Sequence, residues 1–202
     1  MANTRLVNQS EKGSEILEFA LVVALILVPM LLSVVIIGIN LWRSVQVAQV
    51  ARDAGSMYVR GIDFSQTGNQ DVLVRLGQTL GLARTGGNGV VVLSKVTYIP
   101  TGGCTTPCNE AQYVMVQRLV IGDSTMVSAH SNIHSVGDVT LNAKGDVANY
   151  DTDSSAVVSG FGSVMTLNGN EFAYVAEAYF PTVDVDMGGF STGNGVYSRS
   201  IF

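Results

Sequence analysis

From Phe19 to Ile39 the chain runs for 21 residues without a formal charge, nearly all of them large and apolar. At about 1.5 Å per residue a helix of that length covers ~31 Å, close to the ~30 Å hydrocarbon core of a bilayer. Such a segment can span a membrane. Its front edge is unusual, because a lone acid, Glu18, stands there five residues beyond Gly13. A carboxylate deep in a bilayer costs roughly 2.5–3.5 kcal/mol on insertion scales, and less near a helix end. Either it snorkels to the headgroups or it finds a partner. A chain cut after Gly13 would begin at Ser14, and Glu18 would then lie one helical turn from a positive amine. A neighbouring copy, shifted along a helical assembly, would offer its amine to this carboxylate and take both charges out of the lipid.

Gly13, four further residues, Glu18, Phe19 and an apolar helix resemble the processing site of type IV prepilins, in the G-x-x-x-x-E-[FY] form of the tight-adherence (Flp/Tad) pilus system. Downstream, Ala51-Arg52-Asp53-Ala54-Gly55 and Ala176-Glu177-Ala178-Tyr179-Phe180-Pro181 are similar to the TadE and TadF minor pseudopilins of that system. The resemblance covers mainly the first ~60 residues. It implies a prepilin leader at 1–13 and a long helix at 14–61 that spans the membrane over about 19–41. An extracytoplasmic α+β, pilin-like domain with an antiparallel sheet follows at 62–202.

By the same resemblance, a prepilin peptidase cuts between Gly13 and Ser14, where glycine admits the enzyme because it has no side chain. Glu18 aligns subunits, and the helix holds the protein in the cytoplasmic membrane before assembly. The expected partners are that peptidase, other pilins or pseudopilins, the pilus assembly machinery and membrane lipid. The role is that of a minor pilin, with no enzymatic activity and no cofactor. A second expectation is an uncleaved single-span membrane protein whose outer domain binds a ligand or partner.

Length and charge bound these readings. A chain of 202 residues has room for one globular domain beside the anchor. Only 13% of residues are charged and the mean hydropathy is +0.33, an excess the anchor explains. The net charge is −5, and past residue 100 there are ten acids against Arg118, Lys144 and Arg199. An acidic outer domain argues against nucleic acid or anionic lipid as its ligand. The apolar run is also too long for the 7–15-residue core, approximately, of a secretory signal, and no A-x-A site follows it. Arg5 and Lys12 precede the helix while Arg43, Arg52 and Arg60 follow it, so charge alone leaves its orientation open.

Beyond the lipid-length segment, Val47, Ala51, Ala54 and Tyr58 recur at helical spacing beside Val50 and Met57. One helix face therefore stays apolar to about Arg60, fit to cover the protein's own sheet or other subunits. Pro29 predicts a local loosening within the run, and Gly61 predicts the helix end. Val72, Leu73, Leu76 and Leu80 predict a short helix over 71–82 with Asn69 as its cap. The glycine-rich 85–89 lacks a phosphate-loop pattern and reads as a turn.

Two β-branched and aromatic runs, Val90–Ile99 and Tyr113–Ile121, predict an antiparallel hairpin. Residues 122–170 show no pattern that assigns a topology. Over 172–180, Phe172, Tyr174, Ala176, Ala178 and Phe180 alternate with Glu177, which predicts a strand with one face on a core and one in water. Val196–Phe202 predicts an edge strand.

Cys104-x3-Cys108 followed by His130-x3-His134 superficially resembles a zinc finger, but the spacing between the pairs is wrong for one. If the domain lies outside the cytoplasm, an oxidising compartment favours a disulfide over free thiols or zinc. No G-x-S-x-G accompanies the histidines or Gly122-Asp123-Ser124, so acyl transfer is not expected. Asp151-x-Asp153 and Asp184-x-Asp186 lack a calcium loop and read as solvated acids.

Overall fold

β-Branched residues fit a pleated, packed surface, and the stretch between Gly89 and Pro100 is dominated by them. It forms strand β1 (Val90–Ile99), with the predicted bounds. A computed structural model describes residues 4–105, 107–133, 139–182 and 195–202, with side chains from Gly13 onward. His134, Asp184 and Asp186 lie outside the described residues.

β1 is central. It pairs antiparallel with β2 (Gln112–Gly122) on one side and β3 (Phe172–Phe180) on the other, and β4 (Val196–Ile201) pairs antiparallel with β3. The order is β2-β1-β3-β4. A bulge inserts Val116 where Lys95 and Val96 face Gln117 and Met115. The protein is thus α+β, with a long apolar N-terminal helix ahead of a four-stranded antiparallel sheet.

That helix, α1 (Thr4–Val59), extends back beyond the expected start at Ser14. The residues ahead of Gly13 include Arg, Leu, Gln, Glu and Lys, which all favour helix. At its other end Gly61 takes φ +83°. Its N–H donates to the Tyr58 carbonyl at 3.0 Å, and the Ile62 N–H donates to Met57 at 3.2 Å. This Schellman closure satisfies two carbonyls the helix would leave bare.

The chain divides into two compact units, Met1–Trp42 and Arg43–Phe202. In the first, the large apolar side chains of α1 are uncovered: Ile16, Phe19 and Leu25 are each 71% exposed. Its most apolar 18-residue window has a mean hydropathy of 3.1 and is 0% buried. This is one helix long and apolar enough to cross a membrane. Within it the Ser33 hydroxyl donates to the Pro29 carbonyl at 2.7 Å, one turn back, so the hydroxyl needs no water there.

In the second unit the predicted stripe of α1 is buried. Val47, Val50, Ala51, Ala54 and Tyr58 pack with Val91, Leu93, Ile121, Ala176 and Phe180 on one face of the sheet. The helix covers the protein's own strands. Gly55 sits at its closest approach, where an added Cβ would lie 3.1 Å from that of Ala176 and within 2.3 Å of the Phe202 ring.

Two expectations require correction. The short helix α2 (Thr67–Leu76) begins before residue 71 and stops short of 82, with a separate 3-10 turn at Gln78–Leu80, and Asn69 does not cap it. Asp63 accepts from the Ser65 N–H and hydroxyl and turns the chain there, while the Asn69 amide donates back to the Asp63 carbonyl at 2.7 Å. Only Leu73 of α2 is buried; Val72 and Leu76 are 48% and 44% exposed.

The second correction concerns the sheet's other face, which is not in water. Val96, Met115, Ala173 and Val175 pack there against Ile133, Val147, Val158, Phe161 and Leu167 from the irregular segment between β2 and β3. Val90, Val92 and Tyr179 form a smaller cluster with Met126 and Val127. Side-chain caps shape that segment. Asp123 and Asp153 accept from the backbone N–H of Thr125 and Ser155, each at 2.9 Å, and start short 3-10 turns.

Candidate functional site

Gly13 lies inside α1, and beyond its own helix backbone no atom of the described residues comes within 4 Å of where a Cβ would stand; its φ is not positive. Among the described residues nothing about packing or backbone geometry requires glycine there, although glycine in a helix interior costs about 1 kcal/mol against alanine. Ser14 and Glu18 are four residues apart, on one side of the helix. Both are exposed, at the head of the uncovered apolar segment. Ser14 and Glu18 thus share an exposed side of the first unit, while Gly13, five residues before Glu18, lies about 140° round the helix from it.

The two cysteines meet at the tip of the β1–β2 hairpin, where the Cys104 and Cys108 sulfurs are bonded at 1.97 Å. The bond consumes the thiolates a zinc site would need. Among the described residues no group of three or more His, Cys, Asp or Glu side chains converges to hold a metal. The ring of His130, which closes helix α3 (Val127–His130), stacks on Tyr179 with centroids 3.4 Å apart.

Sequence reasoning missed Glu177, placed in water by the alternation of β3 but only 2% exposed. Its carboxylate accepts from the Ser131 hydroxyl at 2.5 Å, the Asn132 N–H at 2.8 Å, the Ile133 N–H at 3.3 Å and the Tyr197 hydroxyl at 2.6 Å. Arg118, on β2, donates to the same Ser131 hydroxyl at 3.2 Å. Burial pulls the Arg118 guanidinium below its ordinary value, and the charge of Glu177 opposes that shift. Burial also pushes the Tyr197 phenol up, reinforced by its bond to Glu177. Among the described residues its donors come from Ser131, Asn132, Ile133 and Tyr197, and the space beside it is about 10 Å³. The cluster ties the segment after β2 and strand β4 to β3. Its sequence signal was present, since the face carrying Glu177 also carries Ala173, Val175 and Tyr179.

A second polar chain runs across the other face. Tyr58 donates to Gln117 Oε1 at 2.7 Å, and Gln117 Nε2 donates to Asp146 at 2.7 Å. These residues border a cavity of about 230 Å³ with Lys95 and Lys144. Comparison with protein-family models, curated proteins and solved structures finds no match to this chain.

Proposed function

We propose that this protein is a minor pilin or pseudopilin of a tight-adherence pilus, cut by a prepilin peptidase between Gly13 and Ser14. The observation that carries the reading is the pairing of an otherwise unexplained glycine with an exposed acid. Both stand at the head of a helix segment whose apolar side chains are exposed among the described residues. A peptidase that must seat the backbone closely gives Gly13 its reason. Lipid, and then neighbouring helices, give the apolar surface its cover. A new amine at Ser14 gives Glu18 its counter-charge.

In this reading the helix crosses the cytoplasmic membrane once and residues 62–202 stand outside, where the Cys104–Cys108 bond is stable. The apolar face of the outer half of α1 is already occupied by its own sheet, so apolar contacts between subunits fall mainly on the lipid-length segment. The test is intact mass and N-terminal sequencing of the membrane form, with a prepilin peptidase present, for the wild type and for Gly13→Leu. The expected result is a mature chain starting at Ser14 in the wild type only. A membrane form that keeps residues 1–13 would favour the single-span protein with a partner-binding outer domain.

A further inference from the structure

At the disulfide end of the sheet the last residues of β1, the hairpin tip, the loop at 150–152 and the start of β3 enclose a cleft of about 390 Å³. Small-ligand sites run from about 300 to 1,000 Å³. Both walls are fixed from within. Asn109, next to Cys108 and only 6% exposed, donates its N–H to Asp151 O at 2.7 Å. Its side-chain amide donates to Tyr150 O at 2.9 Å and Asp153 O at 2.7 Å. Opposite, the Thr97 hydroxyl donates to Glu171 O at 2.7 Å, and the Glu171 carboxylate accepts from the Asn168 N–H at 2.8 Å. The Gly102 N–H donates to the Glu110 carboxylate and ties down the tip. A cleft held this way exists before any ligand arrives, so binding needs little ordering of the protein.

The lining combines three aromatic residues, Tyr98, Tyr150 and Phe172, with three short polar ones, Asp151, Thr152 and Asn170. Phe172 is 41% exposed, with Lys95 Nζ 4.0 Å from its ring centroid. Asn170, also in the lining, holds φ +67°, a left-handed turn. Among the described residues that line the cleft there is no lysine, arginine or histidine, and the nearby Lys95 is engaged over the Phe172 ring. An anionic ligand would therefore meet Asp151 with no cation among these lining residues to offset it, and a metal would find a single carboxylate. A sugar ring presents an apolar C–H face and hydroxyls that both donate and accept. Tyr98 and Tyr150 also pack into the second core cluster, so the exposed Phe172 ring suits the first; carboxylate, hydroxyl and amide suit the second, since between them they accept and donate.

We infer that this cleft binds a short neutral saccharide. The inference stands on the unit Arg43–Phe202 and holds whether or not the chain is cut at Gly13. The full chain, reconstituted in phospholipid nanodiscs free of sugar-based detergent, is tested on an array of neutral and acidic oligosaccharides. Affinities are then measured by calorimetry. Neutral oligosaccharides should bind, and Asn170→Gly, which keeps the backbone turn, and Thr152→Val should each weaken binding about tenfold. Lys144→Ala, outside the cleft, should bind as the wild type does. Thermal melts matching the wild type certify that the variants are folded, and Asp151→Asn supplies a further cleft variant if one does not fold. Failure of every neutral oligosaccharide, preference for acidic ones, or wild-type affinity in folded cleft variants would overturn the inference.

Discussion

The Glu177 carboxylate and the Ser131 hydroxyl meet at 2.5 Å across 46 residues of chain. The contact pins the segment after α3 to the inner strand β3, and Tyr197 ties β4 to the same carboxylate. Glu177→Gln keeps one carbonyl oxygen to accept from the backbone donors and should cost about 1–2 kcal/mol. Glu177→Leu leaves the Asn132 and Ile133 N–H groups and the Tyr197 hydroxyl without an acceptor, and should cost roughly 3 kcal/mol or more. Thermal unfolding of the full chain in micelles, followed by near-ultraviolet circular dichroism, measures both. A leucine variant that melts with the wild type would show that the tie is dispensable.

Stability should fall at both ends of the pH range. The Tyr197 phenol is raised in the folded state, first by burial and then by its bond to Glu177. A raised group contributes fully below its unfolded value of about 10, and that contribution is lost as pH climbs above it. Asp123 and Asp153 are lowered by the hydrogen bonds of their caps, so theirs is present above about pH 4 and lost in stronger acid. Melting temperature should therefore decline above about pH 10, and Tyr197→Phe should flatten that decline while melting lower at neutral pH. An equally steep alkaline limb in the variant would assign it to another group.

Where sequence reading succeeded, the residues themselves carried a period or a boundary. β1 was legible because its β-branched run is closed by Gly89 and Pro100, and the buried face of α1 because Val47, Ala51, Ala54 and Tyr58 keep helical spacing. Residues 122–170 have no such period. Their shape comes from caps such as Asp153, and from Asn109 reaching 41 residues to Tyr150. Glu177 was misplaced because its charge outweighed the apolar character of Ala173, Val175 and Tyr179 on the same face. The hairpin-tip cleft gathers residues from four separated stretches, a proximity that only the fold supplies. At Gly13, Ser14 and Glu18 the motif was visible in the sequence, and the structure adds that the fold itself makes no demand for glycine there.

Loss of the disulfide should have a small effect. Cys104 and Cys108 are separated by 4 positions, and cross-linking so short a loop restricts the unfolded chain by about 2 kcal/mol at most. The same tip is also held by Asn109 and by the contact between Gly102 and Glu110. Cys104→Ser with Cys108→Ser should lower the melting temperature by less than about 8 °C. Collapse of the fold on reduction would mean that the bridge organises far more than its hairpin.

Replacing Glu18 separates processing from assembly. Glu18→Gln removes the charge that opposes insertion, so the helix should enter the membrane at least as readily as in the wild type. Gly13 is untouched, so proteolysis should still yield Ser14 if the peptidase reads the glycine. On the proposed reading, what the variant lacks is a carboxylate for the Ser14 amine of a neighbouring subunit, which would leave that cation without a counter-charge at the lipid boundary. Co-purification with other pilins, and recovery in sheared pilus fractions, should therefore fall at least tenfold, because desolvating an unpaired ammonium costs several kcal/mol. Glu18→Asp should recover part of the loss, since it keeps the charge on a shorter side chain. Normal co-assembly of Glu18→Gln would remove the electrostatic docking from the proposal. Loss of cleavage in that variant would instead make the acid part of the peptidase's recognition site.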